Sequence, residues 1–180
     1  EAYRRAMLDR CRDVRGTPGE AGVPRDPDYG DVLDAGTSDL TASVCYNSSR
    51  AGATQVLLVK GLTGGRDGYE LLLHLNELRF DLQGGGTSFF NTRVAEPAAN
   101  RWHHVAGVLD RTANTATLYV DGLAVASSNV AGIGSLDNIV SLGIGALNRG
   151  GTSDPTVQFF QGSIDEGRVK LAALSAAEIA

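Results

Sequence analysis

The sequence predicts an all-β chain folded as an antiparallel sandwich with a short helix at each end, and three observations predict it. Short apolar runs recur from Thr41 onward, each broken by turn residues. Glycine is abundant, 23 residues of 180, while charged residues make up only 21%; that balance favours tight turns and short strands over long helices. No helical pattern separates the runs, which argues against alternating strands and helices around a parallel sheet.

The elements follow in chain order. Residues 1–14 place Tyr3, Met7, Cys11 and Val14 at three- and four-residue spacing, one stripe of an amphipathic helix that needs something to pack against. Residues 15–30 are rich in Gly and Pro and read as a linker. The sandwich is assigned to residues 31–180. Its candidate strands are 41–47, 55–61, 69–75, 78–83, 88–94, 103–110, 116–122, 123–128, 139–145 and 157–170. Asp121-Gly122, between two alternating runs, is the clearest hairpin signal, because a type I′ turn needs positive φ at both central positions. Ser175 followed by Glu178 forms a capping box, so a short terminal helix begins at Ser175.

Bulk properties narrow the function. A net charge of −5 and a pI near 5.1 argue against a nucleic-acid partner, which requires a basic surface. The arginines of the first fifteen residues alternate with acids and read as a solvated helix face. No apolar run reaches about 18 residues, so no membrane insertion is expected. The N-terminal stretch is charged and is not an intact signal peptide; an exported protein would have lost its signal or carry it further upstream. Cys11 and Cys45 permit one internal disulfide, with two independent thiols as the alternative.

Trp102-His103-His104 invites a reactive reading, which strand alternation disfavours. Adjacent residues on a strand point to opposite faces, so the two histidines cannot share a metal without a bulge. Trp102 is expected to cap a sandwich edge, with a half-buried His104 donating a hydrogen bond. Glycosidases need two carboxyl groups facing each other across a cleft. Here Asp165 and Glu166 are adjacent and point apart, and Glu70 and Glu77 read as isolated. The chain is therefore expected not to be an enzyme. Two polar, glycine-bearing loops, 61–69 and 146–156, would lie on the rim of the sandwich. There Arg66, Asp67, Tyr69, Asn148 and Arg149 offer the ring stacking and bidentate hydrogen bonds that sugar hydroxyls favour.

Two segments are specific enough to suggest kinship. WHHVAGVLDRTANTATLYVDGLAVAS resembles a hairpin of laminin-G-like domains of the concanavalin A-like superfamily. FFQGSIDEGRVKLAALSAAEIA resembles their closing strand and short final helix, and QVLLVKGLTGGRDGYELLLHLNELRFDL is similar to their central strands. The resemblance covers about residues 31–180. It implies a two-sheet jelly roll used as a non-catalytic module of secreted or cell-surface proteins, binding glycans or protein partners, often beside calcium. By the same resemblance Asp165 matches an acidic position that holds a structural calcium, with Asp28, Asp31 and Asp34 as candidate partners. The expectation is thus an extracellular or surface-exposed glycan-binding module, part of a larger protein or assembly. The competing expectation is a structural or adhesive subunit assembled through the helix 1–14.

Overall fold

The computed structural model describes residues 33–61, 67–86, 88–146 and 159–180. The expected helix 1–14 and linker 15–30 lie outside the described residues. Ten strands run as β1 (Leu40–Ser48), β2 (Gln55–Gly61), β3 (Gly68–His74), β4 (Glu77–Gly84), β5 (Ser88–Ala95), β6 (His103–Asp110), β7 (Thr115–Val120), β8 (Leu123–Asn129), β9 (Gly143–Ile144) and β10 (Gly162–Lys170). One helical turn, α1 (Ala176–Ile179), follows. The strands form two antiparallel sheets, β10-β1-β6-β7-β8 and β5-β4-β3-β2-β9, stacked as a jelly-roll sandwich.

Alternation fills the core between the sheets. From the first sheet come Leu40, Ala42, Val44 and Tyr46 of β1, Val105 and Leu109 of β6, and Leu118 of β7. From the second come Leu57, Tyr69, Leu71, Leu73, Leu78, Phe80 and Leu82. Gly107 also faces inward, and a Cβ there would lie 2.4 Å from the Phe80 ring, so only glycine lets the two sheets approach at this point. The alternate residues Ala106, Val108 and Tyr119 face out of the first sheet and are covered by Ala173, Leu174 and Ile179. The capping box holds α1 over them: the Glu178 carboxylate accepts from both the backbone N–H and the hydroxyl of Ser175, at 2.8 Å each.

The turns follow the same logic. Asp121 (φ 49°) and Gly122 (φ 79°) both adopt positive φ, as a type I′ hairpin requires. Leu75 (φ 50°) and Asn76 (φ 70°) make a second such turn between β3 and β4, one residue earlier than the sequence suggests. Two expected strands are shorter than predicted. Of 139–145 only Gly143–Ile144 pairs, and before it the Val140 carbonyl accepts from the buried Lys60 ammonium at 3.0 Å. Of 157–170 the strand is Gly162–Lys170. Lys60 also pairs with Asp34 at 2.5 Å, which secures the segment before β1. The Arg111 side chain donates to the carbonyls of Gly36, Ser38, Ile133 and Gly134, locking that segment to the loop after β8.

Candidate functional site

The outer face of the second sheet carries the chemistry. The alternation that buries Phe80 and Leu82 turns Arg79, Asp81 and Gln83 outward, and on β5 the same period brings out Phe89, Asn91 and Arg93. Register stacks these residues into rows across the strands: Phe89 beside Gln83, Asn91 beside Asp81 beside Glu70, and Arg93 beside Arg79 beside Leu72. Phe89 is 55% exposed and the Arg93 side chain 57%. One β-strand thus presents an aromatic ring, an amide and a guanidinium to solvent on successive outward positions.

Neighbouring charges set the electrostatics. Arg79 holds Glu77 through Nε (2.8 Å) and Nη2 (2.6 Å), and Arg93 reaches the same oxygen at 3.4 Å. The Arg79 hydrogen bond keeps the Glu77 carboxyl below its ordinary pKa. Two guanidinium groups thus share one carboxylate and leave local positive charge. The next row behaves differently. Burial pushes Asp81 up to about 6, although Asn91 donates to it. Burial, then the charge of Asp81, pushes Glu70 up to about 8. At neutral pH, Glu70 is therefore a carboxylic acid that can donate, and Asp81 beside it is mainly an acceptor. The Phe89 ring and the Arg93 guanidinium are therefore the groups of this face that stand open to solvent, with the Asn91 amide between them and Asp81 and Glu70 largely buried alongside.

The Glu70–Asp81 pairing corrects the reading of Glu70 as isolated. A hairpin turn at Leu75-Asn76 makes the two residues equidistant from it, so the register was recoverable once the turn was placed. Glu77 likewise is engaged, by Arg79 and Arg93.

Of the sequence-predicted ligand residues, Asp67 and Tyr69 are described, and they have different roles. Asp67 lies at the rim, and its Oδ1 accepts from the Gly86 backbone N–H at 2.8 Å, tying the start of β3 to the β4–β5 turn. Tyr69 is corrected outright. Its ring is fully buried in the core and its hydroxyl donates to the Leu33 carbonyl at 3.0 Å, so it has no face to offer a sugar. Strand alternation explains this, since Tyr69 shares the inward face with Leu71 and Leu73. Arg66, Asn148 and Arg149 lie outside the described residues.

Asp165 sits on β10 where a bulge opposite Ser43 and Cys45 distorts the ladder, and its Oδ1 accepts from the Glu166 N–H at 2.8 Å. Asp34, its suggested partner, is spent on Lys60, and Asp28 and Asp31 lie outside the described residues. Among the described residues no group of three or more His, Cys, Asp or Glu gathers as a metal site. Cys45 is buried on β1, and no described cysteine is a free thiol. Its suggested partner Cys11 lies outside the described residues.

The histidine pair resolves into two separate roles. Buried His103 places Nδ1 3.1 Å from Asp121 Oδ2 and Nε2 3.1 Å from the Ala98 carbonyl, strapping the loop before β6 to the hairpin turn. Asp121 Oδ1 also accepts the His104 backbone N–H. Among the described residues His104 Nδ1 is buried without a hydrogen-bond partner, and burial pushes its pKa down to about 4. With both of its nitrogens engaged, His103 serves the fold.

Comparison with known proteins places this geometry. A family model described as "Concanavalin A-like lectin/glucanases superfamily" (Laminin_G_3) matches residues 27–180. No curated protein sequence matches the chain. Among solved structures, the sialidase module described as "Ruminococcus gnavus IT-sialidase CBM40 bound to alpha2,3 sialyllactose" superposes with a TM-score of 0.66 at 20% identity, over 82% of that chain and 81% of this one. Domains LG4-5 of the mouse laminin alpha1 chain give 0.58 at 16% identity over 77% of this chain. The binding domain of Paraclostridial Mosquitocidal Protein 1 gives 0.61 at 14% identity over 82%. This chain spans 37% of each of the last two. At these identities the likeness is one of fold.

Proposed function

The chain belongs to the concanavalin A-like lectin/glucanases superfamily, and from that premise we propose that it is a non-catalytic binding module that holds a glycan on the outer face of its second sheet. The observation that carries this reading is the pair of exposed groups on β5, the Phe89 ring and the Arg93 guanidinium, with half-buried Asn91 between them. A flat sheet bearing one exposed ring and several fixed polar groups lets a sugar stack its apolar face while its hydroxyls find both donors and acceptors. Asp67 and the Gly86 turn bound the same end of the sheet as Phe89, so the rim loops expected to bind ligand would extend this surface. The sialyllactose-bound module of similar fold supports a sugar as the ligand class. The laminin and toxin domains support an extracellular or surface setting within a larger protein.

A glycan array followed by titration calorimetry tests the proposal. Phe89→Ala is expected to weaken binding of any positive glycan at least about tenfold, the scale of about 1.4 kcal/mol. An array without positives, or a Phe89→Ala variant that binds as the wild type does, overturns it. Repeating the titration in chelator decides whether a calcium ion near Asp165 contributes.

One observation favours a protein partner as a second reading. Among the described residues β8 is an edge strand of its sheet and exposes Leu123 and Val125, a surface suited to an adhesive or assembly contact. Light scattering across a concentration series reads self-assembly directly, and Val125→Lys is expected to abolish it.

A further inference from the structure

The outer face of the first sheet holds a cavity of about 610 Å³ between β1, β10 and α1, whose walls include Cys45, His104, Arg168, Leu174 and Ile179. We propose that this cavity is the dock for the chain's own N-terminal segment, residues 1–14, fastened by a disulfide between Cys11 and Cys45. Cys45 faces outward on β1, since its neighbours Val44 and Tyr46 point into the core, and it is nevertheless buried. It is not a free thiol, and the chain has one other cysteine, Cys11. Cys11 falls within the apolar stripe Tyr3, Met7, Cys11 and Val14. A bond from Cys11 to the cavity wall therefore brings that stripe, and not the charged side of the segment, against the sheet. The cavity wall is mixed: Leu174 and Ile179 supply apolar surface that the stripe can cover, beside Thr41, Ser43, Glu166 and Lys170, which suit the polar flanks of an amphipathic segment. Residues 12–32, extended, reach up to about 70 Å, enough to lead from Leu33 to this face.

A small ligand or a second copy of the chain are the rival occupants, and one set of measurements separates all three. Non-reducing peptide mapping of the full chain, alkylated before digestion, is expected to recover a Cys11–Cys45 peptide from monomeric protein. Recovery of free thiols, or of a bridged dimer, overturns the proposal. Docking is read by hydrogen exchange in a Tyr3→Glu/Met7→Glu variant that keeps both cysteines. Amides of β1 and β10 are expected to exchange at least about fivefold faster than in the wild type, and 8-anilinonaphthalene-1-sulfonate to bind the variant only. Unchanged exchange with the bridge intact means a tether without a dock, and dye binding by the wild type means an open ligand cavity. Either result overturns the inference. Should the variant fail to fold, the wild-type mapping and dye measurements still decide it.

Discussion

The two sheets are built by the same period-two alternation, yet their outer faces differ. The first sheet turns out Ala106, Val108 and Tyr119, and the chain folds its C-terminal turn over them. The second turns out Glu70, Glu77, Arg79, Asp81, Asn91 and Arg93, and keeps Phe89 in solvent beside them. An apolar outer face calls for cover and becomes part of the fold. The polar one largely buries Asp81 and Glu70 but leaves Phe89 and Arg93 exposed, and exposed groups are what a binding surface needs. The contrast is best tested by substitutions that act on stability at one face and on binding at the other.

The largest effect is expected from removing the cover. Ile179→Asp places a charge against Val108 and Tyr119, and a loss of about 2–4 kcal/mol is expected by denaturant titration. A loss under about 0.5 kcal/mol would mean that α1 is ornamental and that the two faces are energetically alike. Asp121→Ala comes next. It removes the acceptor of buried His103 and of the His104 backbone N–H, for an expected loss of about 2–3 kcal/mol. It should leave the second sheet's face intact, so a glycan that binds the wild type should bind this variant equally well below its melting point.

How far each face was legible in the sequence follows from how local its signal is. The Asp121-Gly122 hairpin, the capping box at Ser175 and the inward set of β1 depend on neighbours along the chain, and the strands 55–61 and 103–110 match their observed bounds. The outer face of the second sheet was hidden because it depends on pairing. Glu70 reads as isolated until β3 and β4 are zipped about Leu75-Asn76, a turn whose leucine carries positive φ without any glycine to announce it. Tyr69 shows the converse error: an aromatic beside a glycine-rich loop suggests a rim, but one step of alternation places it in the core. The roles of Lys60 and Arg111 were invisible for the same reason, since their partners are carbonyls of distant loops.

Acid and base should separate the faces as well. His104, on the first sheet, is pushed down to about 4 by burial, so its neutral form belongs to the fold. Its contribution is whole above the ordinary histidine pKa and is lost as pH falls through about 4. Glu70, on the second sheet, is pushed up to about 8, so here the protonated form belongs to the fold. Its contribution is whole below the ordinary carboxylate pKa and is lost as pH rises through about 8; Asp81, raised to about 6, acts in the same sense over a lower window. Glu70→Gln is therefore expected to be more stable than the wild type above pH 8, by on the order of 1–3 kcal/mol. The gap should close below about pH 5. Melting curves across pH read this directly, and a gap that does not vary with pH would show that Glu70 is solvated like an ordinary surface acid.

The smallest change in stability is expected where the effect on binding is greatest. Arg93 is exposed, and its 3.4 Å contact with Glu77 duplicates a tighter one from Arg79. Pairs of this kind add little to folding, because solvent screens them and both side chains lose freedom on pairing. Arg93→Ala should melt with the wild type, and Glu77 should stay ionised because the Arg79 hydrogen bond that lowers its pKa remains. A glycan bound on this face would still lose a solvent-facing guanidinium, so its affinity should fall while the melting point does not. If the melting point falls instead and binding holds, Arg93 belongs to the architecture and the second face is covered in function as the first is in fact. That outcome would move the search for the ligand to the segments 61–69 and 146–156.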